Sequence, residues 1–198
     1  MAESAVSPEV AQVEAHVSCD PQIPPDPAQF VRNLKLKNGI PVVVRAIRRS
    51  DEPLLVRLHE QLSERSVHLR YFSTTSLSCR IAQIARICRI SDREFALVAL
   101  VRNEKTHEQE IVAVGQIVKL DDPNQVEWGL IVSDDCQNQG LGTRMFQCMA
   151  EMSRIAGANR MDSLVSWENG AMRHISRRFG CNFEYVVGEH ALRVTLAL

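Results

Sequence analysis

The order of its segments predicts an α/β protein: one mixed, mostly antiparallel sheet of about seven strands with helices on both faces. Short, mostly apolar segments, such as residues 94–101 and 126–132, have the length of buried strands. Strand-like and helix-like segments follow one another as β–α–α–α–β–β–β–α–β–α–β–β. The most regular helical spacing of apolar residues is that of Leu141, Met145, Met149, Met152 and Ala156.

Residues 1–37 are predicted to form a flexible, proline-rich leader before a single domain over residues 38–198. Five of the eight prolines lie in this leader, and no apolar period is sustained there. Phe30, Val31 and Leu34 are its residues best suited to dock on the domain. The remaining chain is long enough to bury a full core.

The first half of the domain is predicted to contain one strand, three helices and a hairpin. Pro41 stands at the start of a strand, where a missing N–H donor costs least. Ser50 and Asp51, followed by Glu52 and Pro53, are typical of a helix start. The predicted elements are a strand over 41–47, a helix from Ser50 or Asp51, helices over 67–72 and 77–88, and strands over 94–101 and 111–120.

The second half is predicted to alternate strands and helices and to end in a hairpin. A buried strand over 126–132 leads through a glycine turn into the helix with the apolar stripe. Gly180 occupies the usual glycine position after a helix. The other predicted elements are a strand over 161–166, a helix over 169–179, and strands over 183–187 and 192–196 that pair around Gly188.

The glycine turn Gln137-Asn138-Gln139-Gly140-Leu141-Gly142 is the most informative motif. A glycine-rich turn before a helix leaves backbone N–H groups free, and the helix dipole favours an anion beside them. A Walker A loop is excluded because Thr143, not Lys, follows the last glycine. A dinucleotide fingerprint is excluded because its third glycine position holds Met145. The alternative is an ordinary tight turn without a ligand.

The pattern Gln-x-x-Gly-x-Gly after a strand resembles the coenzyme A pyrophosphate loop of the GNAT superfamily of N-acetyltransferases. Residues 36–72 resemble the first segment of bacterial Pat-type protein lysine acetyltransferases, and the resemblance extends to about residue 196. The matching pieces are Asn38-Gly39, Arg45-x-Ile47-Arg48, Asp51-Glu52-Pro53-Leu54, Leu62-Ser63, Leu69-Arg70-Tyr71-Phe72, and Glu168-Asn169 with Met172, Gly180 and Phe183.

This resemblance implies a GNAT fold and acetyl-CoA as the cofactor. In the family pattern, the central strand hydrogen-bonds the pantetheine arm of coenzyme A, and a helix-start Asn orients that arm. Asn169 has an equal alternative role as a helix N-cap. The residues expected to bind the cofactor are Leu130, Ile131 and Val132 on the strand, Gln137, Asn138, Gln139, Gly140, Leu141, Gly142 and Thr143 in the loop, and Asn169.

Glu127 is the candidate general base. A lysine amine has a pKa near ~10.4, so only about one in a few thousand is neutral at pH 7 and a base is useful. Pat-type enzymes carry a glutamate at the place of Glu127; the alternative is an exposed strand glutamate without a role. The general acid is unassigned, because Ser176 stands where many GNAT enzymes carry Tyr. Tyr185 is only a remote substitute.

The resemblance implies an N-acetyltransferase in which an amine attacks acetyl-CoA directly within a ternary complex. The acceptor it implies is a protein lysine, with an acyl-CoA synthetase as one such protein. Two alternatives stay open. In the first alternative the acceptor is a small amine, and in the second the chain is a non-catalytic module that binds acyl-CoA.

Composition limits the other function classes. The formal net charge of −1 gives no general attraction to nucleic acid or to anionic membranes. Apolar runs are too short to span a bilayer, and the acidic N-terminus is unlike a signal peptide, so we expect a cytoplasmic protein. No metal site or disulfide framework is expected, because no Cys-x-x-Cys pair occurs. The six cysteines are at positions 19, 79, 88, 136, 148 and 181.

Overall fold

The computed structural model describes residues 27–198, apart from residues 74, 90 and 105. The first 26 residues of the predicted leader therefore lie outside the described part, and their flexibility stays a prediction. Short 3₁₀ helices occur at Pro27–Gln29, Arg49–Asp51 and Asp134–Cys136.

Eight strands form one sheet in the order β1-β2-β3-β4-β5-β6-β8-β7. All neighbouring strands are antiparallel except β5 and β6, which are parallel. This confirms the mixed, mostly antiparallel sheet. The strands are β1 Val31–Lys35, β2 Pro41–Ala46, β3 Glu94–Arg102, β4 Gln109–Lys119, β5 Gln125–Val132, β6 Arg160–Ser166, β7 Asn182–Val186 and β8 Ala191–Ala197.

Five α-helices connect these strands, and each agrees with a predicted helix to within a few residues. Three of them lie between β2 and β3, one makes the crossover from β5 to the parallel strand β6, and one precedes the final hairpin. The helices are α1 Glu52–Gln61, α2 Glu64–Tyr71, α3 Leu77–Ile87, α4 Leu141–Ile155 and α5 Gly170–Arg178.

The strand missing from the prediction is β1, which the sequence analysis assigned to the leader. It pairs antiparallel with β2 from Val31↔Arg45 to Lys35↔Pro41, and Phe30 beside it is fully buried. The sheet therefore begins before residue 38, the predicted domain start. The sequence does not indicate this strand because it lies at a sheet edge and none of its residues is fully buried, so its residues show no strong apolar alternation.

Helices cover both faces of the sheet, as predicted. On one face, α1 and α3 pack Leu55, Leu58 and Ile84 against the central strands. His59 is also buried there, 1% exposed; its Nδ1 donates to the Leu55 carbonyl over 2.9 Å, and its Nε2 accepts from Tyr71 Oη over 3.2 Å. Burial lowers the pKa of His59.

The other face is covered by α4 and α5. The apolar stripe of α4 is buried as its spacing predicted, with Leu141, Met145, Met149 and Met152 all fully inaccessible to solvent. Phe146 adds edge-on ring contacts in the same layer. Because α4 is fixed along its whole length, its N-terminus has a defined position at the end of β5.

Candidate functional site

A gap opens in the middle of the sheet, where β5 and β6 part. Only three register pairs join the two strands. Beyond Glu127, β5 remains paired with β4, whereas β6 continues along β8. Within the described residues, one backbone edge of β5 from Trp128 to Val132 therefore has no neighbouring strand. The three pairs are Gln125↔Arg160, Val126↔Met161 and Glu127↔Asp162.

This gap widens into a cleft of about 1050 Å³. Its walls come from α2, from the exposed end of β5, from the glycine turn and from α5. The volume is at the upper limit of pockets that hold small molecules and cofactors, which is about 1,000 Å³. Ten of the eleven predicted cofactor-binding residues line it: Leu130, Ile131, Val132, Gln137, Asn138, Gln139, Gly140, Gly142, Thr143 and Asn169.

Leu141 is the exception among those residues. Its side chain is fully buried in the core and does not line the cleft. Leu141 therefore anchors the start of α4, and only its backbone is available near a ligand.

The glycine turn has the geometry of an anion site. Gly140 takes a left-handed conformation with φ +84° and caps α4, and no side chain caps this helix. The first helical hydrogen bond is donated by Arg144 to the Gly140 carbonyl over 3.2 Å. The amides of Leu141, Gly142 and Thr143 precede that bond, so they are free to meet a negatively charged group.

Gly142 has a different role in the turn. A Cβ at this position would lie 3.1 Å from Cδ1 of Ile175 and 3.8 Å from Cγ2 of Val132. The absent side chain thus lets α5 and β5 close in on the N-terminus of α4. Gly140 is needed for its backbone angle, whereas Gly142 is needed for space.

A cluster of polar groups ties the turn to α2. Asp134 accepts from the backbone N–H of Ser63 over 2.9 Å and from the hydroxyl of Ser66 over 2.6 Å. The side-chain amide of Gln137 lies 3.2 Å from Asp134 and 3.3 Å from the carbonyl of Val132. Burial acts to raise the pKa of Asp134, but these hydrogen bonds outweigh it and lower the pKa. These contacts join two walls of the cleft, the glycine turn and α2.

The lysine and arginine side chains that line the cleft are not balanced by any acidic side chain among the described lining residues. Among the described residues that line it, five are lysine or arginine and none is aspartate or glutamate. The chain as a whole carries a formal net charge of −1, so this separation is local rather than a result of composition. Such a surface favours a ligand with several negative charges. The basic residues are Lys35, Lys37, Arg70, Arg144 and Arg178.

None of these five basic residues was predicted as a site residue, and three of them lie in segments for which no site residue was predicted. Lys35 and Lys37 lie at the end of β1 and just after it, in the part assigned to the leader. Arg70 lies on α2, 59 positions before Gly129 in sequence, and its guanidinium packs on that glycine. The sequence signal for Arg70 was its membership of the matching piece Leu69–Phe72, which carried the resemblance without assigning it a role.

Asn169 performs its predicted capping role at the edge of the cleft. Its side-chain oxygen accepts from the backbone N–H of Met172 over 3.0 Å and caps α5. The same residue lines the cleft, so its amide nitrogen remains able to face a bound group.

Glu127 is exposed and lies just outside the lining of the cleft. It is the last β5 residue paired with β6, opposite Asp162. Asp162 is engaged by Arg160 over 2.8 Å and by Thr195 over 2.7 Å. Within the described part of the chain, the side-chain carboxylate of Glu127 has neither a hydrogen bond nor an ion pair. It is therefore the uncommitted carboxylate at this end of the gap.

The two positions considered for the general acid lie away from the cleft. Ser176, at the position of the usual acid, is completely buried and lines no part of it. Tyr185 is 51% exposed on β7 and stacks edge-on against Trp167. In the described residues no group of three His, Cys, Asp or Glu side chains is arranged to hold a metal ion.

A family comparison decides the classification. A model of the acetyltransferase (GNAT) domain matches residues 42–182, which is more than two thirds of the chain. The chain belongs to the GNAT family. This membership places it among the acetyltransferase enzymes, as the turn motif predicted.

Solved structures share the fold of this GNAT domain. The GNAT domain of S. lividans PAT superposes with a TM-score of 0.75 at 20% identity, over 87% of this chain and 99% of that one. The resemblance to Pat-type enzymes seen in the sequence agrees with this match. Because the identity is only 20%, the superposition establishes a common fold alone.

Two further structures contain a bound cofactor. Salmonella typhimurium yncA, a putative acetyltransferase with its cofactor acetyl-CoA, has a TM-score of 0.60 at 14% identity, over 79% of this chain and 94% of that one. RimL, a ribosomal L7/L12 alpha-N-protein acetyltransferase in complex with coenzyme A, has a TM-score of 0.62 at 16% identity, with the same coverages.

Among the described residues, no helix is both long enough and apolar enough to cross a bilayer.

Proposed function

We propose that this GNAT domain transfers the acetyl group of acetyl-CoA to an amine, and that the amine is a protein lysine side chain. The observation that carries the donor assignment is the cleft. It combines a helix start without a side-chain cap, an unpaired strand edge and a lining with five basic side chains and no acidic one.

Each part of coenzyme A has a chemical counterpart in this cleft. The amides of Leu141, Gly142 and Thr143 suit the diphosphate, which carries the charge that the helix start favours. The exposed edge of β5, with Leu130 and Val132, offers backbone groups to the two amides of the pantetheine arm, as an added strand would. The arm then runs along β5 away from the turn, towards Glu127.

Glu127 is proposed to accept the proton of the attacking amine, directly or through one water. In the described structure its carboxylate makes no hydrogen bond or ion pair, which supports this role, because an engaged carboxylate would have to break a contact first. Its place at the closed end of the gap also supports the role, since this is where the far end of the arm arrives. Positioned bases typically contribute about 10²–10⁴-fold to the rate.

The exposure of Glu127 favours a protein acceptor. The carboxylate stands on an open surface rather than inside an enclosed pocket, and β6 displays Leu164, 40% exposed, two residues beyond Asp162. An open surface of this kind admits a lysine presented by another protein, whereas a small amine gains most from a pocket that encloses it. An acyl-CoA synthetase is the acceptor protein suggested by the Pat-type resemblance.

The test is incubation of the protein with labelled acetyl-CoA and a cell lysate, followed by separation of protein from small molecules. We expect label on lysines of protein, and a loss of about 10²-fold or more in rate for Glu127→Gln with unchanged coenzyme A binding. Glu184→Gln is the matched control, because Glu184 is an exposed glutamate on the edge strand β7.

The outcomes separate the possible functions. Label found only in small amines would contradict the protein acceptor. Binding of acetyl-CoA without any transfer would indicate a non-catalytic binding module. Wild-type turnover by Glu127→Gln would contradict the assignment of the base.

A further inference from the structure

The guanidinium of Arg70 occupies an unusual position at the inner end of the cleft. It packs directly on the backbone of β5, because Gly129 has no side chain there; a Cβ on Gly129 would be 2.5 Å from Cζ of Arg70. Its Nη2 donates to Oε1 of Gln116 over 3.0 Å, and Gln116 in turn donates to Glu94 over 2.6 Å. Two neighbouring strands therefore hold this cation in a fixed place.

Arg70 is not neutralised by the protein at ion-pair distance. Within the described residues no carboxylate lies within 4.0 Å of its guanidinium. The titratable groups that face it are Tyr71, its neighbour on α2, and Glu127 on β5, and Glu94 on β3 is reached only through Gln116. Burial lowers the pKa of Arg70, and the nearby Tyr71 and Glu127 oppose that effect. An arginine stays charged under such conditions.

A half-buried cation without a carboxylate partner is costly unless a bound group supplies the negative charge. Arg70 lines the same cleft as the glycine turn, at the opposite end of the free edge of β5. From Val132 to Gly129 the strand covers roughly 10 Å at ~3.3 Å per residue. If the diphosphate is held at the turn, the pantetheine arm places its sulfur near this inner end.

We propose that Arg70 stabilises the negative charge that develops on the coenzyme A sulfur as the thioester breaks. The inference rests on the proposed function, because it requires acetyl-CoA in the cleft. In the step concerned, the amine nitrogen forms a bond to the acetyl carbon and the carbon–sulfur bond breaks. The electron pair of that bond leaves on sulfur as a thiolate, and Glu127 takes the proton released by nitrogen.

This role would replace the general acid, which the sequence left unassigned. Ser176, where many relatives carry an acidic tyrosine, is fully buried, so no hydroxyl at that position can protonate the leaving sulfur. A fixed positive charge achieves the same end without proton transfer, since it lowers the energy of the thiolate itself.

The decisive measurement is the pKa of the thiol of bound coenzyme A, followed by the ultraviolet absorbance of the thiolate. Desulfo-coenzyme A serves as the blank, because it fills the site without a thiol. An ordinary thiol has a pKa near ~8.5, and a cation at close range lowers such a value by about 1–3 units. We expect this lowering in the wild-type protein and its loss in Arg70→Gln.

Two further variants keep the test independent of folding defects. Gly129→Ala places a methyl group where the guanidinium lies, so the charge is retained but displaced, and we expect a thiol pKa between those of the wild type and Arg70→Gln. Arg80→Gln is the matched control: Arg80 is also half-buried and donates to the backbone carbonyl of His59 over 2.8 Å, but it does not line the cleft.

Calorimetry with coenzyme A distinguishes failure of this inference from failure of the proposed function. Tight binding with the same thiol pKa in wild type and Arg70→Gln would overturn the role of Arg70 and leave the donor assignment intact. The role of Arg70 would also be overturned if Arg80→Gln abolished the lowering of the thiol pKa as fully as Arg70→Gln does. Absence of any coenzyme A binding by the wild type would remove the donor, and this inference with it.

Discussion

Replacement of Gly140 by alanine tests the anion site most directly. Gly140 has φ +84°, and the nearest atom to an added Cβ would be Cε of Lys37 at 3.8 Å, so the change adds backbone strain without a clash. In this conformation a residue other than glycine is destabilised by about 1–2 kcal/mol. Alanine also restricts the unfolded chain, which offsets about 0.4–1 kcal/mol of that loss in the free energy of unfolding. The net loss of stability is therefore about 1 kcal/mol.

The expected effect on binding is larger than the effect on stability. Relaxation of the strained angle turns the amides at the start of α4 away from the diphosphate. One charge-assisted hydrogen bond is worth about 1.5–3 kcal/mol, and 1.4 kcal/mol corresponds to a factor of ten in affinity. Gly140→Ala should therefore weaken coenzyme A binding by about tenfold to a hundredfold, measured by isothermal titration calorimetry.

Gly157→Ala is the matched control for this prediction. Gly157 follows the other end of α4 with φ +86°, and an added Cβ would meet no atom within 4 Å. Both variants should lower the midpoint of thermal unfolding by about 2–4 °C. Only Gly140→Ala should lose affinity. Equal affinity of Gly140→Ala and wild type, or equal weakening by both variants, would refute the assignment of the diphosphate to this turn.

Two further predictions concern stability. Asp51→Ala should cost about 3–5 kcal/mol in urea unfolding, because it leaves the mostly buried guanidinium of Arg45, whose Nη1 lies 2.7 Å from the carboxylate, without its partner. The exposed pair of Arg57 and Glu108 should contribute less than about 1 kcal/mol, so a similar loss in Glu108→Ala would contradict this reasoning. For His59, burial favours the neutral imidazole, so the unfolded state binds more protons below pH 6.5 and stability should fall as the pH drops. His59→Gln should show a weaker pH dependence in unfolding experiments between pH 7 and 5, and identical slopes would count against the burial argument.

Prediction from sequence succeeded where the signal is local. Seven of the eight strands and all five helices were predicted close to their observed bounds, since apolar periodicity, helix caps and glycine turns act over a few residues. The turn from Gln137 to Gly142 belongs to this class, because its glycines specify a left-handed angle and a close approach within one short segment. The proposed functions of these residues remain predictions.

Prediction was weaker where a residue takes its importance from distant partners. The strand β1 was missed because its stability comes from its pairing with β2 and from the burial of Phe30, not from its own pattern. Lys35 and Lys37 were missed with it. The position of Glu127, exposed and uncommitted beside the cleft, also depends on which residues engage its neighbour Asp162.

The sequence alone determined the order of the elements from β2 onwards, the glycine turn before α4 and the resemblance to the family, because each is encoded in neighbouring residues. Tertiary structure alone decided that the cleft gathers basic side chains without acidic ones, that Ser176 is sealed in the core, and that Arg70 lies on Gly129. The physical reason is that charge and burial at a site are set by groups far apart in the chain, whose separation only packing fixes.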